Sequence, residues 1–200
     1  MAARRAREAP LWLKIAYTSM VCVIVPVYWR DHGPANFLWF SDIALLALVP
    51  ALWLENRLLA SMMAVGVTVP ESAWLVDFIA GGRLLGLAAY MFDDDMPLHL
   101  RGLSLFHVVL LPTIFWMLAR FGYDRRALWA QTILALVVLP LTYLATDRAG
   151  ENINWVHGWG TEPQTALPPL VYLGLIMVGL PLIVYVPTHL LLKWVFPDGR

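Results

Sequence analysis

Three residues of this sequence have the types that nucleophilic catalysis needs: an adjacent serine and aspartate, and a histidine in a later segment. They are Ser41, Asp42 and His107, and all three lie within apolar stretches. A serine hydroxyl is a weak nucleophile until a base removes its proton, and an imidazole oriented by a carboxylate is the usual base. The residue types therefore predict a catalytic group in which Ser41 attacks, His107 acts as base and Asp42 orients the base or balances charge.

A second set of polar side chains is predicted to bind a substrate. Its members are Glu71, Asp77, His99, Arg101, Ser104, Asn154 and His157. Arg101, Ser104 and His107 are spaced three residues apart, so a helix would place them on one face. An ionisable side chain inside a membrane costs at least roughly 2 to 3 kcal/mol and needs a partner. Arg101 is the predicted cation for one of the acidic residues.

The same residues also fit a structural network that only fixes helix packing, since ion-pair networks are often structural. Ser41 and Asp42 are adjacent, so a helix separates their side chains by about 100° and no linear triad is implied. A serine within a membrane span is also commonly a packing residue. Both interpretations stay open at the level of sequence.

The elements that must position these side chains are predicted to be transmembrane helices. Of the 200 residues, 60% are hydrophobic and 14% are charged, whereas soluble domains carry about 25% charged residues. A helix of about 20 residues crosses the hydrocarbon core. We predict an all-α bundle in a single domain, residues 1–200, with six spans: Leu11–Trp29, Phe37–Leu54, Leu58–Ile79, Pro97–Ala119, Ala127–Thr146 and Pro169–Leu192.

A seventh apolar piece, Leu84–Phe92, is too short to span and is predicted to be an interfacial or re-entrant helix. Orientation follows from the 14 lysines and arginines, most of which fall on the side of the N-terminus with Arg4, Arg5 and Arg7. Positive residues accumulate on the cytoplasmic side. We therefore predict both termini in the cytoplasm and the polar residues in the outer half of the bundle.

Several classes of partner and cofactor are disfavoured. The formal net charge is zero, so no nucleic-acid partner is predicted. Cys22 is the one cysteine, and the five histidines lack the spacing of common metal sites. Lys14 and Lys193 both lie near span ends, away from a mid-span cofactor position. No metal or other cofactor is predicted; the expected partners are membrane lipids, with a homo-oligomer or a membrane complex as further options.

Three motifs resemble a set of bacterial proteins known only as membrane-associated: Gly33–Asp42, Leu100–His107 and Asn152–Gly158. The resemblance extends over about residues 33–192 and implies an integral protein of a bacterial inner membrane without naming an activity. More distantly, an acid-bearing span, the pair Pro70-Glu71, a mid-span histidine and an Asn-aromatic loop resemble the YwaF-like integral membrane family.

Eukaryotic relatives of the YwaF-like family include an acyltransferase that acts on phospholipids and in which a cysteine and a histidine are implicated. Where that family typically reads His-Leu-Cys-Asp, this chain reads Trp39-Phe40-Ser41-Asp42. His107 matches the family histidine. The resemblance implies acyl transfer in which the Ser41 hydroxyl stands in place of the thiol.

Three functions are therefore expected alternatives. The first is a membrane enzyme that transfers an acyl or other lipid group. The second is a carrier that binds protons or a small anion through intramembrane ionisable residues. The third is a non-catalytic subunit or scaffold of a membrane complex.

Overall fold

A computed structural model describes residues 8–147, 151–160 and 162–197, and this part of the chain contains helices and no strand. The all-α prediction is confirmed. Arg4, Arg5 and Arg7, which entered the prediction of orientation, lie outside the described residues.

Within the described residues, eight α-helical segments form the bundle, and we number them in chain order. They are α1 (Leu11–Asp31), α2 (Phe40–Leu54), α3 (Arg57–Ile79), α4 (Leu98–Ser104), α5 (Phe106–Phe121), α6 (Ala127–Ala145), α7 (Pro169–Gly179) and α8 (Val186–Val195). A π-helix, Leu180–Tyr185, joins α7 to α8 in one continuous helical rod, and the linking segments contain short 3-10 helices at Pro34–Leu38, Ala89–Phe92 and Ile153–Trp155.

Five helices of the described chain are long and apolar enough to cross a membrane, which indicates an integral membrane protein. They are Leu11–Asp31, Arg57–Ile79, Leu98–Phe121, Ala127–Ala145 and Pro169–Val195. The predicted second span is a shorter apolar helix, α2, of 15 residues. It begins at Phe40 because the preceding residues form the 3-10 helix Pro34–Leu38. The count of six spans is therefore not confirmed.

Two local features differ from the predicted helices. The segment predicted as an interfacial or re-entrant helix is mostly turns and ends in the 3-10 helix Ala89–Phe92. The predicted fourth span is divided at Leu105, where N–H groups bond three residues back, from Leu105 to Gly102 and from Val108 to Leu105. Glycine weakens a helix interior, so Gly102 favours a break here.

Helix α3 is the most buried of the five long helices, and the final rod is the most exposed to its surroundings. Helix α3 packs against α2, α5 and α6. It carries Glu71, Trp74 and Asp77, all of which are buried. These three lie toward the end of the bundle that holds residues 80–97, 151–160 and 162–168, called here the loop-rich end. The buried helix therefore positions most of the candidate site.

Candidate functional site

The centre of the candidate site is a hydrogen-bonded carboxylate–imidazole pair between α3 and α5. Glu71 Oε2 and His107 Nδ1 are 2.7 Å apart, and their side chains are only 5% and 13% exposed, respectively. An ionised carboxylate accepts hydrogen bonds and cannot donate them. With Glu71 as the acceptor, Nδ1 donates this hydrogen bond, and the Nε2 of a neutral imidazole then holds the lone pair. No described residue hydrogen-bonds to Nε2.

Aromatic rings hold the imidazole on both sides. The His107 ring is stacked on Trp74, with centroids 4.5 Å apart and planes at 24°, and on Phe106 at 4.0 Å and 28°. Trp74 follows Glu71 by three residues on α3, so carboxylate and indole reach the imidazole from one helix face. These contacts fix the orientation of the imidazole ring and shield the Glu71–His107 pair from water.

A hydrogen bond between two uncharged hydroxyl groups lies in the same region as the Glu71–His107 pair. The hydroxyl groups of Tyr28 and Ser104 are 2.9 Å apart, which joins α1 to the end of α4. Tyr90 interacts with Ser104 from the segment 80–97. Burial raises the pKa of the Tyr90 phenol to about 12, while its interactions with Ser104 and Trp74 act in the opposite direction. The phenol therefore stays protonated and offers a neutral polar group.

Asp42 lies in the same region but has a different environment. It is 4% exposed, and its Oδ1 is buried without a hydrogen-bond partner among the described residues. It is close enough to Glu71 and to Tyr28 for electrostatic interaction. The structure thus gathers two carboxyl groups and one imidazole around α3 toward the loop-rich end.

Ser41, the predicted nucleophile, is half-buried, and no hydrogen bond joins its hydroxyl to His107 or to any other described residue. Arg101, the predicted cation for the acids, forms no ion pair with a described carboxylate. The base has a carboxylate partner, but that partner is Glu71. The predicted catalytic role of Ser41 stays a prediction, and Glu71 takes the orienting position that was assigned to Asp42.

The carboxylate of Asp77 accepts hydrogen bonds from backbone N–H groups. Its Oδ1 accepts hydrogen bonds from the N–H groups of Leu84 at 2.9 Å and Leu85 at 2.7 Å, and its Oδ2 accepts from Ala88 at 2.8 Å. One carboxylate therefore fixes the segment that follows α3. This use leaves the predicted substrate-binding role of Asp77 without a supporting contact.

The remaining predicted binding residues also have partners within the protein. His99 Nε2 lies 3.5 Å from Asp31 at the surface. Asn154 accepts a hydrogen bond from Phe40 N–H and donates one to the Leu38 carbonyl, so it ties a loop to the start of α2.

His157 is buried in the loop-rich end. Its Nε2 is 3.0 Å from Thr146 Oγ1, and its Nδ1 is buried without a partner among the described residues. No described contact joins His157 to the Glu71–His107 pair, so its binding role stays a prediction.

Three residues of the site were missed at the level of sequence: Tyr28, Trp74 and Tyr90. Tryptophan and tyrosine near span ends are typical of the interfacial belt, which conceals a role inside the protein. A signal was present for Trp74, since residues three apart on a helix share a face with each other.

Two surface depressions, one beside Lys14 and Trp53 and one beside His32 and Glu151, include neither Glu71 nor His107. Among the described residues, no group of three or more His, Cys, Asp or Glu side chains could hold a metal ion.

Comparison with known proteins finds no match to a family model, to a curated protein or to a solved structure. The class of this protein therefore rests on its own architecture. It is an all-helical membrane protein with a buried carboxylate–imidazole pair between two of its helices.

Proposed function

We propose that this protein is an integral membrane enzyme that transfers an acyl group between lipids, with His107 as general base and Glu71 as the residue that positions it. The observation that carries the proposal is the 2.7 Å contact between Glu71 Oε2 and His107 Nδ1. A carboxylate on one imidazole nitrogen fixes the tautomer and stabilises the imidazolium that forms when the other nitrogen takes a proton.

The reaction needs a hydroxyl, an acyl ester and a proton acceptor. His107 Nε2 takes the proton from the attacking hydroxyl as its oxygen bonds to the acyl carbon. The imidazolium then returns that proton to the departing alkoxide, which balances the step. The hydroxyl belongs to a second lipid or to Ser41, which the resemblance implies, and a Ser41 route needs its side chain to move into contact with His107.

Lipid substrates suit the surroundings of the base. Leu105, Val108 and Val109 flank His107 and expose between 40% and 42% of their surface. In a membrane this surface contacts lipid, so an acyl chain would reach the imidazole from the side. With both termini in the cytoplasm of a bacterial cell, the pair lies in the outer half of the inner membrane.

A second candidate function is proton binding by a carrier, and Asp42 favours it. Its buried Oδ1 lacks a partner among the described residues and its carboxyl interacts with Glu71. Carboxyl groups and an imidazole placed together within a membrane are the groups that proton-coupled carriers use.

The test uses the full chain reconstituted in vesicles of phosphatidylethanolamine and phosphatidylglycerol with isotope-labelled acyl chains. Mass spectrometry of the lipids then detects lysophospholipid and transacylated products. We expect His107→Gln and Glu71→Gln to lower turnover, the first by about 10² to 10⁴-fold, the usual contribution of a general base. The matched control is His99→Gln, because His99 is an exposed histidine at the same end of the bundle.

Absence of product with the wild-type protein, or equal rates in wild type and His107→Gln, would contradict acyl transfer. A pH-sensitive dye inside the same vesicles separates the second candidate. Proton uptake that Asp42→Asn abolishes, without lipid turnover, would favour a carrier. Neither activity, together with co-purification of a stoichiometric partner, would favour a subunit of a membrane complex.

A further inference from the structure

The guanidinium of Arg101 is a cation without a countercharge in the described residues. Its Nε is buried without a hydrogen-bond partner, and its Nη1 makes one long contact, 3.4 Å, with the Met91 carbonyl. Among the acids of the candidate site, Glu71 binds His107, Asp77 binds backbone N–H groups, and Asp42 forms no ion pair with Arg101. A partly buried charge is costly without a partner, so an anion from outside the chain would complete this site.

A second donor, the indole N–H of Trp74, lies near Arg101. Trp74 is 6% exposed, and its Nε1 has no hydrogen-bond partner within 3.5 Å among the described residues, although it interacts with Tyr90. Trp74 packs against Met91 in one cluster, and Arg101 contacts the Met91 carbonyl. Tyr90, the residue before Met91, interacts with both Trp74 and Ser104. The two donors therefore border the 3-10 helix Ala89–Phe92 together.

Trp74 also contacts the proposed catalytic pair. The indole ring that carries this N–H is stacked on His107. A group bound to the Trp74 N–H would therefore lie beside the imidazole, on the side of the segment 80–97. The ring provides a direct physical link between an anion site and the proton acceptor.

We infer that Arg101 and Trp74 form a subsite for a phosphate group, which would be the headgroup phosphate of the lipid substrate. Arginine presents planar, paired donors that match phosphate oxygens, and it is always charged. The inference rests on the proposed function for the identity of the ligand. Binding of phosphate at Arg101 itself does not require His107 to act as base.

The experiment measures binding by calorimetry with the full chain, stripped of lipid in an uncharged maltoside detergent. The two probes are inorganic phosphate and a short-chain phosphatidylglycerol. We expect Arg101→Gln to weaken binding at least tenfold and Trp74→Phe, which keeps an aromatic ring but removes the N–H donor and part of the ring, to weaken it several-fold. Arg101→Lys keeps the charge without the planar donors and should fall between wild type and Arg101→Gln.

The matched control is Arg83→Gln, because Arg83 is an exposed arginine in the adjoining loop segment. It removes the same charge and should leave the affinity unchanged. Equal weakening by Arg83→Gln would mean general electrostatic attraction and would overturn the inference. Unchanged affinity in both Arg101→Gln and Trp74→Phe, or no binding of either probe by the wild-type protein, would also overturn it. If Arg101→Gln does not fold, Arg101→Lys and Trp74→Phe decide the question.

The two probes separate the sources of the phosphate. Binding of both identifies a general phosphate site, whereas binding of the lipid alone shows that the acyl chains contribute, and either result supports the subsite. Failure of the inference is distinct from failure of the proposed function. Binding that depends on Arg101 in a protein without lipid turnover would support the subsite and contradict the enzymatic function. Lipid turnover that Arg101→Gln leaves unchanged would support the enzymatic function and contradict the subsite.

Discussion

Glu71 and Asp77 lie on the same buried helix, and their carboxylates have opposite kinds of partner. Glu71 binds the imidazole of His107, whereas Asp77 binds three backbone N–H groups. One carboxylate orients a titratable ring and the other builds a loop. Substitutions at these two positions should therefore separate effects on activity from effects on stability.

Asp77→Ala should destabilise the protein by at least about 2 kcal/mol, because it removes the acceptor for the N–H groups of Leu84, Leu85 and Ala88. A buried donor that loses its partner costs about 1 to 3 kcal/mol. The measurement is thermal unfolding in detergent. Asp94→Ala, an exposed acid in the same connecting segment, is the control and should leave the melting temperature unchanged. Equal melting temperatures for Asp77→Ala and wild type would contradict the assigned role.

The Glu71–His107 pair predicts a non-additive double mutant. Glu71→Leu or His107→Leu alone leaves one polar group of a buried pair without its partner. The cost is several kcal/mol when the remaining group is a buried charge. The double variant Glu71→Leu/His107→Leu strands neither group. We expect it to be more stable than the sum of the single Glu71→Leu and His107→Leu variants predicts, by at least about 1 kcal/mol. Additive free energies of unfolding would show that the two side chains are not coupled.

Much of the helical architecture could be predicted from hydropathy because a helix that crosses a membrane must be long and apolar. The spans at Leu58–Ile79 and Ala127–Thr146 match α3 and α6 within one residue at each end. Local backbone geometry could not be predicted in the same way. The 3-10 helix Pro34–Leu38 includes Phe37 and Leu38, which are apolar and were predicted to begin the second span, so α2 is shorter than predicted and begins at Phe40.

The polar residues of the site could be predicted by type but not by pairing. Hydropathy identifies Glu71 and His107 as unusual within a membrane, yet their contact depends on how α3 packs against α5. The sequence favoured Arg101 as the cation because a carboxylate in a membrane needs a positively charged partner and Arg101 lies in the predicted fourth span. The break at Leu105 separates the helix of Arg101 from the helix of His107, so spacing along one ideal helix could not place both.

Gly66 lies in the middle of the bundle at a position where a larger side chain would meet Gln131. A Cβ atom at this position would lie 2.5 Å from Gln131 Nε2. Gln131 is buried and hydrogen-bonded to Tyr185 at 3.4 Å, so it has little room to move. Gly66→Ala should cost about 1 to 3 kcal/mol through overpacking, as measured by thermal unfolding.

The control for this prediction is Gly174→Ala in α7. A Cβ atom at Gly174 would meet no atom within 4 Å, so alanine should be neutral or should stabilise by about 0.5 to 1 kcal/mol. Adding Gln131→Ala to Gly66→Ala should recover part of the loss, because the smaller side chain vacates the contested space. Identical behaviour of the two glycine variants would exclude the steric explanation.

Asp124 predicts a dependence of stability on pH at the end of the bundle opposite the candidate site. Its carboxylate bonds to Arg126 at 2.8 Å and lies 3.7 Å from Arg57. The hydrogen bond from Arg126 is the main cause that lowers the pKa of this carboxyl below its ordinary value, and burial opposes it. The unfolded chain, with a pKa of about 3.9, therefore takes up a proton at higher pH than the folded protein.

It follows that the contribution of Asp124 is fully present above the pKa of the unfolded chain and is lost as the pH falls through the lower pKa of the folded protein. Arg126 is mostly exposed, so solvent screening limits the effect to about 1 kcal/mol or less. Melting temperatures measured in detergent from neutral to acidic pH should fall less steeply for Asp124→Asn than for wild type. Asp94→Asn should keep the wild-type slope. A wild-type slope in Asp124→Asn would show that this ion pair does not contribute to acid sensitivity, because its removal would leave the proton uptake on unfolding unchanged.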